Sequence, residues 1–194
     1  MIRREISGSK VKHLKATIDL SFGHVSLKRG TSDKIAVVEY TKPEDPSHEL
    51  EMKYSVSNEI GTLLIRSEEE STFWDRGSEE GDREWIIELT DRVPVSLRFK
   101  LGAGEGELDL TGLRLHDLKM STGASAVRID CSEPNRISAE TIDIESGVSK
   151  LTARNLCNTN FKRMNFSGGV GSYWLDFGGS LTKDAQVTIE VGLG

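Results

Sequence analysis

Helical periodicity is what this sequence most lacks. No segment spaces apolar residues three and four apart between capping signals, so a helix bundle is excluded as the main plan. The nearest candidate, "DRVPVSLRFK", carries Pro94 and strict alternation, which favour a strand. Cysteine is almost missing: Cys131 and Cys157 make two, too few for a disulfide scaffold or a zinc site. No run of about 18 apolar residues exists, so no span of a membrane helix is present. The start "MIRREIS" is charged but is followed by no apolar stretch of a secretory signal. Basic residues are outnumbered, 25 Lys and Arg against 31 Asp and Glu, for a net charge of −6. That balance argues against nucleic acid as a partner, since phosphate binding draws on clustered Lys and Arg. The one basic stretch, "RREISGSKVKHLK", reads as a short terminal arm. Proline (4) and aromatics (6%) are scarce, and the apolar share of 36% suits a long thin core.

What fills the chain is alternation. "ATIDLSF", "KIAVVEY", "ELEMKYSV", "GTLLIRS", "EWIIELT" and "VSLRFKL" each present one apolar face and are rich in β-branched and aromatic residues, as strands are. Two segments interrupt them. "TKPEDPSHE" holds two of the prolines, and "SEEESTFWDRGSEEGDRE", residues 67–84, is acidic and glycine-bearing. The length fits one domain or two small ones. The expected organisation is a strand-rich segment over 1–92, with one repeat copy at 15–30, and a run of repeats over 93–194, all in one continuous domain.

Glycines supply the period. Gly104, Gly123, Gly147, Gly169 and Gly192 are separated by 19, 24, 22 and 23 residues. Five and three before each stand apolar pairs: Phe99 and Leu101, Leu118 and Met120, Ile142 and Ile144, Met164 and Phe166, Val187 and Ile189. An outlying copy centres on Gly23. Strand-bearing repeats of this length mark a solenoid, in which each coil buries its apolar face only by stacking on the next. Glycine suits the bend because it tolerates backbone angles that a Cβ forbids. In this alignment the outward residues form a charge ladder: Asp109 meets Arg128, and Arg154 lies between Asp130 and Asp176, each pair contributing about 0–1 kcal/mol. Cys131 and Cys157 would lie near each other on adjacent coils, as free thiols or as a bridge.

Few side chains suggest chemistry. The carboxylates of 67–84 match no calcium-loop spacing and single out no glycosidase pair. The histidines His13, His24, His48 and His116 are scattered, with no metal-ligand spacing. "LGAGEG" lacks the lysine and following helix of a phosphate loop and reads as a bend. No nucleophile, base and orienting group are tied together by spacing, so no catalytic residue, metal or cofactor is expected. Trp74, at a loop tip, and Trp174, facing outward by alternation, are the candidate partner contacts. Because "VTIEVGLG" stops half-way through a repeat, the expectation is that the native protein continues past it, or that another molecule or terminal segment covers this edge.

The stretches "SFGHVSL", "LGAGEGELDL", "STGASAVRID", "ESGVSKLTA" and "SGGVGSYWLDF" resemble the toast-rack family of bacterial extracytoplasmic proteins, which includes adhesin-like proteins and cell-wall-stress proteins. The resemblance implies a β-helix-like domain outside the cytoplasm, in the periplasm or at the cell surface, tethered through segments absent here, with no catalytic residues. The expectation is therefore all-β: a single-stranded right-handed β-helix with flanking antiparallel hairpins. It would act as a scaffold, adhesin-like module or sensor through protein contacts; carbohydrate binding or processing, and self-assembly, are the alternatives.

Overall fold

The computed structural model describes residues 1–8, 11–31, 33–42, 50–67 and 83–193. They form eleven strands in one sheet and no α-helix. β1 (Ile2–Ile6), β3 (Ala36–Tyr40), β4 (Leu50–Ser57), β5 (Ile60–Ser67), β6 (Glu84–Leu89) and β11 (Gln186–Leu193) are short. β2 (His13–Arg29), β7 (Val95–Asp109), β8 (Leu115–Asp130), β9 (Ala139–Arg154) and β10 (Phe161–Leu175) are long, and they stack in parallel in the order β2, β7, β8, β9, β10, followed by β11.

Strand length and link length together force a bend. Run straight, β7 would span about 50 Å, yet residues 110–114 return the chain to the start of β8 with a reach of at most about 20 Å. Each long strand therefore doubles back on itself. The burial pattern shows where: in β7 the buried positions are Val95, Leu97, Phe99 and Leu101, then the alternation slips by one and resumes at Gly106 and Leu108. The inward residues of both arms join one apolar core with Phe99, Phe161, Phe166 and Tyr40 as its largest buried members.

The arms make two stacks. The first arm of β2 pairs with β5, and β5 pairs antiparallel with β4 across Asn58 and Glu59, both at positive φ. The second arm of β2 pairs with β6, on which β3 and then β1 lie, each antiparallel to its neighbour. Buried asparagines hold the return segments together. Asn135 Nδ2 donates to Leu115 O at 2.7 Å and Thr159 O at 3.1 Å, and Asn158 Nδ2 donates to Cys131 O at 2.8 Å. Such bonds satisfy carbonyls that a buried loop would otherwise leave unpaired.

The register corrects the glycine column in one member. Gly123, Gly147, Gly169 and Gly192 do stand beside one another, but Gly123 lies against Gly102, while Gly104 pairs with Ser125 on one side and with Gly23 on the other. Alternation repeats every two residues, so a shift of two leaves every apolar position apolar; the motif with glycine at both 102 and 104 permits either alignment. The expected charge pairing of Asp109 with Arg128 fails for that reason. Arg128 instead meets Glu107 at 3.2 Å, and Asp109 faces Asp130. Asp130 stands opposite Arg154 as expected, though its carboxylate accepts from Asn155 Nδ2 at 2.7 Å. Asp176 accepts from the backbone N–H groups of Asn155 and Gly178.

Candidate functional site

Among the described residues, large exposed apolar side chains gather at one end of the stack. Val187, Ile189 and Val191 of β11 stand beside Met164, Phe166 and Gly168, which are buried, yet Ile189 is 49% exposed; Leu193 stands beside Val170, which is itself exposed. β11 pairs with β10 as far as Val170, and among the described residues no strand pairs with 172–175 on that side. Phe177 and Leu181, in the segment between β10 and β11, are exposed beside it. Trp174 sits on this edge, faces outward as expected, and is 67% exposed. Tyr173 points inward, packs edge-on against Phe166 with ring centroids 5.1 Å apart, and donates to Gly147 O at 3.1 Å. Trp85 is buried, stacked on Tyr40, with Nε1 donating to Phe22 O at 3.2 Å. Trp74, Phe73, His48 and the carboxylates of 68–82 lie outside the described residues.

A polar cluster that no sequence spacing revealed bridges β2, β7 and β8. Asp117 Oδ2 accepts from His116 Nδ1 at 2.6 Å and from Ser96 Oγ at 2.9 Å, and His13 Nε2 lies 2.9 Å from Ser96 Oγ. The His13 and His116 rings meet edge-on at 5.2 Å. A bulge makes this possible: Val95 pairs with Leu115 but Ser96 with Asp117, so His116 is the extra residue. His13 and His116 are more than a hundred positions apart in the chain, and only stacking joins them.

Burial raises the Asp117 carboxyl, but the hydrogen bonds from His116 and Ser96 outweigh it and hold the group below its ordinary range. An ionised Asp117 accepts the hydrogen bond of the Ser96 hydroxyl, which leaves His13 Nε2 as the donor to Ser96. These bonds cross-link β2, β7 and β8. Burial, and after it His116 and Lys15, push the His13 imidazole down, against the opposing effect of Asp117. The unfolded chain then takes up the proton first. Stability from this group is whole above the unfolded value of about 6.5 and is lost as pH falls from there toward the folded value. Thermal melts should show Tm falling between about pH 7 and 5, and His13→Gln, which keeps a donor for Ser96, should flatten that slope. An unchanged slope in the variant would assign the dependence to other groups.

The cysteines are both free. Cys131 is buried, its Sγ bonded to Glu133 O at 3.3 Å, and burial with Asp130 nearby pushes its thiol up to about 12. Burial also raises Cys157. Neither is a nucleophile at neutral pH. Among the described residues no group of three His, Cys, Asp or Glu side chains is placed to hold a metal ion. A shallow groove of about 420 Å³ on the first-arm face is lined by alternating charges, Lys15, Arg98 and Lys119 with Asp117 and Asp143, and by no aromatic ring.

A family model described as the N-terminal domain of toast_rack, DUF2154, matches residues 2–154. The crystal structure of a "putative cell adhesion protein" from Clostridium sporogenes is similar over 100% of this chain and 95% of its own, with a TM-score of 0.70 at 20% identity. A "putative adhesin" from Bacteroides fragilis aligns over 99% of this chain and 95% of its own, with a TM-score of 0.33 at 12% identity. None of the curated proteins matches the chain.

Proposed function

The chain belongs to the toast-rack family, and from that premise we propose that it is a non-catalytic, adhesin-like module working outside the cytoplasm through protein contacts made by the exposed apolar side chains of β10 and β11. Its long strands coil into a β-helix, right-handed as nearly all parallel-strand crossovers are. The observation that carries the reading is the concentration of uncovered apolar side chains on β11 and the β10 edge. Surfaces of soluble monomers seldom leave so much apolar area together unless something binds it. The similarity to a protein described by its role in cell adhesion supports the same direction. Carbohydrate binding has less support, because Trp174 projects from an edge, the groove beside Lys15 and Arg98 offers no ring, and Trp85, which lines a groove with Glu84, Glu105 and Glu107, is stacked on Tyr40 and only 3% exposed.

Beads coated with the protein and passed over bacterial cells test this. Retention should fall at least ten-fold for the double variant Trp174→Ala, Ile189→Glu, and should be abolished by treating the cells with protease. Equal retention of the variant would remove the end from the function. Competition by free polysaccharide, with no effect of protease, would replace the protein reading by the carbohydrate one.

A further inference from the structure

On the outer side of the first arm, side chains stand in columns of one residue per strand. In the column nearest the bend the charges alternate: Asp19 lies between Arg66 and Lys100, and Lys100 Nζ reaches its carboxylate at 3.4 Å. The middle column breaks this pattern. Arg98 of β7 and Lys119 of β8 stand in direct register, one strand spacing of about 4.8 Å apart. Like charges placed so work against a sheet. The other like-charged pair in register, Asp109 and Asp130, is relieved by donors: Thr111 N at 3.0 Å and Asn155 Nδ2 at 2.7 Å. Among the described residues Arg98 has no such partner, and Lys119 has only Glu145 within ion-pair reach, at 3.9 Å.

Two more cations extend the pair. Lys15 of β2 and Arg163 of β10 are exposed and make no ion pair among the described residues. The path Lys15, Arg98, Lys119, Thr141, Arg163 takes one residue from each successive strand of the stack. It follows the groove beside Lys15 and Arg98 and runs about 19 Å, four strand spacings. The carboxylates that line the groove are already engaged, Asp117 by His116 and Ser96, and Asp143 by Asn165 Nδ2 at 2.7 Å. We propose that this path binds a linear phosphate polymer, with one phosphate bridging Arg98 and Lys119 and its neighbours reaching Lys15 and Arg163.

A guanidinium grips a phosphate through two parallel hydrogen bonds, and an ammonium adds a point charge. The bridging phosphate replaces repulsion between the two cations by attraction to both. Other features select the occupant. The cations are spread along an open groove, so a single phosphate would leave two of them idle. No ring lines the groove for a nucleobase to stack on. Its apolar members, Ala16, Leu97 and Leu118, are buried, so no apolar side chain is offered to a bilayer. On the second arm β7 presents Glu105, Glu107 and Asp109, so the opposite face repels the polyanion that this one attracts.

Isothermal titration with inorganic polyphosphate tests the site. The wild-type protein should bind it about ten-fold or more tightly, per phosphate, than inorganic phosphate, and the double variant Arg98→Gln, Lys119→Gln should lose about ten-fold or more of that affinity. The variant's salt dependence should also be shallower. Lys150→Gln, at an exposed cation of the second arm, should bind as the wild type does. Polyphosphate should raise the Tm of the wild type and not of the double variant. Without ligand, Arg98→Gln should melt no lower than the wild type, because it removes a repulsion; a lower Tm would make Arg98 a structural residue and overturn the reading. A wild type that ignores polyphosphate, or a double variant that binds it equally well, would overturn it too. Tighter binding of a single-stranded oligonucleotide than of polyphosphate would give the site to nucleic acid, and tighter binding of anionic phospholipid vesicles would give it to lipid; either result ends the proposal. Trp174 and Ile189 take no part in this site, so it and the bead-retention test fail independently.

Discussion

Replacing Gly104 by alanine is expected to cost roughly 3–5 kcal/mol, a large share of the 5–15 kcal/mol that holds an ordinary domain. Gly104 has φ +117°, a region that side-chain-bearing residues rarely adopt, and a Cβ there would lie 2.2 Å from Gly23 O. Neither problem has a local remedy, because the obstacle is the backbone of the adjacent strand. The carbonyl cannot withdraw without breaking the ladder between β2 and β7. Gly106, two residues on, is the control: its added Cβ would meet only the ends of side chains, Val127 Cγ2 at 3.3 Å and Leu108 Cδ1 at 3.4 Å, and its φ is ordinary. Gly106→Ala should change stability by less than about 1 kcal/mol. Urea unfolding midpoints of the two variants measure the difference. Similar midpoints would mean that the bend does not depend on glycine at 104.

The second large effect lies in the core. Phe99→Ala should destabilise the protein by about 3–5 kcal/mol. Phe99 is fully buried on β7, with Ile18 on one side and Met120 on the other in the same inward column. Neighbours held in register on both sides cannot collapse into the space the ring leaves, so the cavity persists. Val187, in the terminal strand and 41% exposed, is the comparison. In dilute protein Val187→Ala should cost less than about 1 kcal/mol, since little area is withdrawn from water there. Denaturant titrations of the two variants would separate the cases, and equal losses would mean that Val187 is as well packed as Phe99.

How far the fold could be read depended on which physical signal was involved. Alternation of apolar and polar residues is a property of each strand by itself, and it named every long strand of the stack before any neighbour was known. Glycine at 123, 147, 169 and 192 marked the bends because the neighbouring backbone comes close there: an added Cβ would lie 2.3 Å from it at Gly123, 2.9 Å at Gly169 and 3.1 Å at Gly147 and Gly192. The same signals could not choose between Gly102 and Gly104. Both lie in one phase of a two-residue period, and the choice was made by pairing with β2, where Gly23 takes the place opposite Gly104. The charge ladder inherited that ambiguity, which is why Arg128 found Glu107 in place of Asp109.

The polar cluster was illegible for a different reason. His13, Ser96, His116 and Asp117 carry no common spacing, and an inserted residue in β8 sets their geometry. The buried asparagines of the return segments are similar: nothing in the sequence singles out Asn135 and Asn158, and only the folded loops show which carbonyls they satisfy.

The sequence by itself determined that this protein is all-β, that its strands are apolar on one side, and that bends recur every twenty or so residues, because periodicity and glycine act locally. The tertiary structure decided the register, the joining of distant side chains and the shape of the two ends. Those depend on which strand lies beside which, and a pattern that repeats every two residues leaves that choice to the packing of the whole stack.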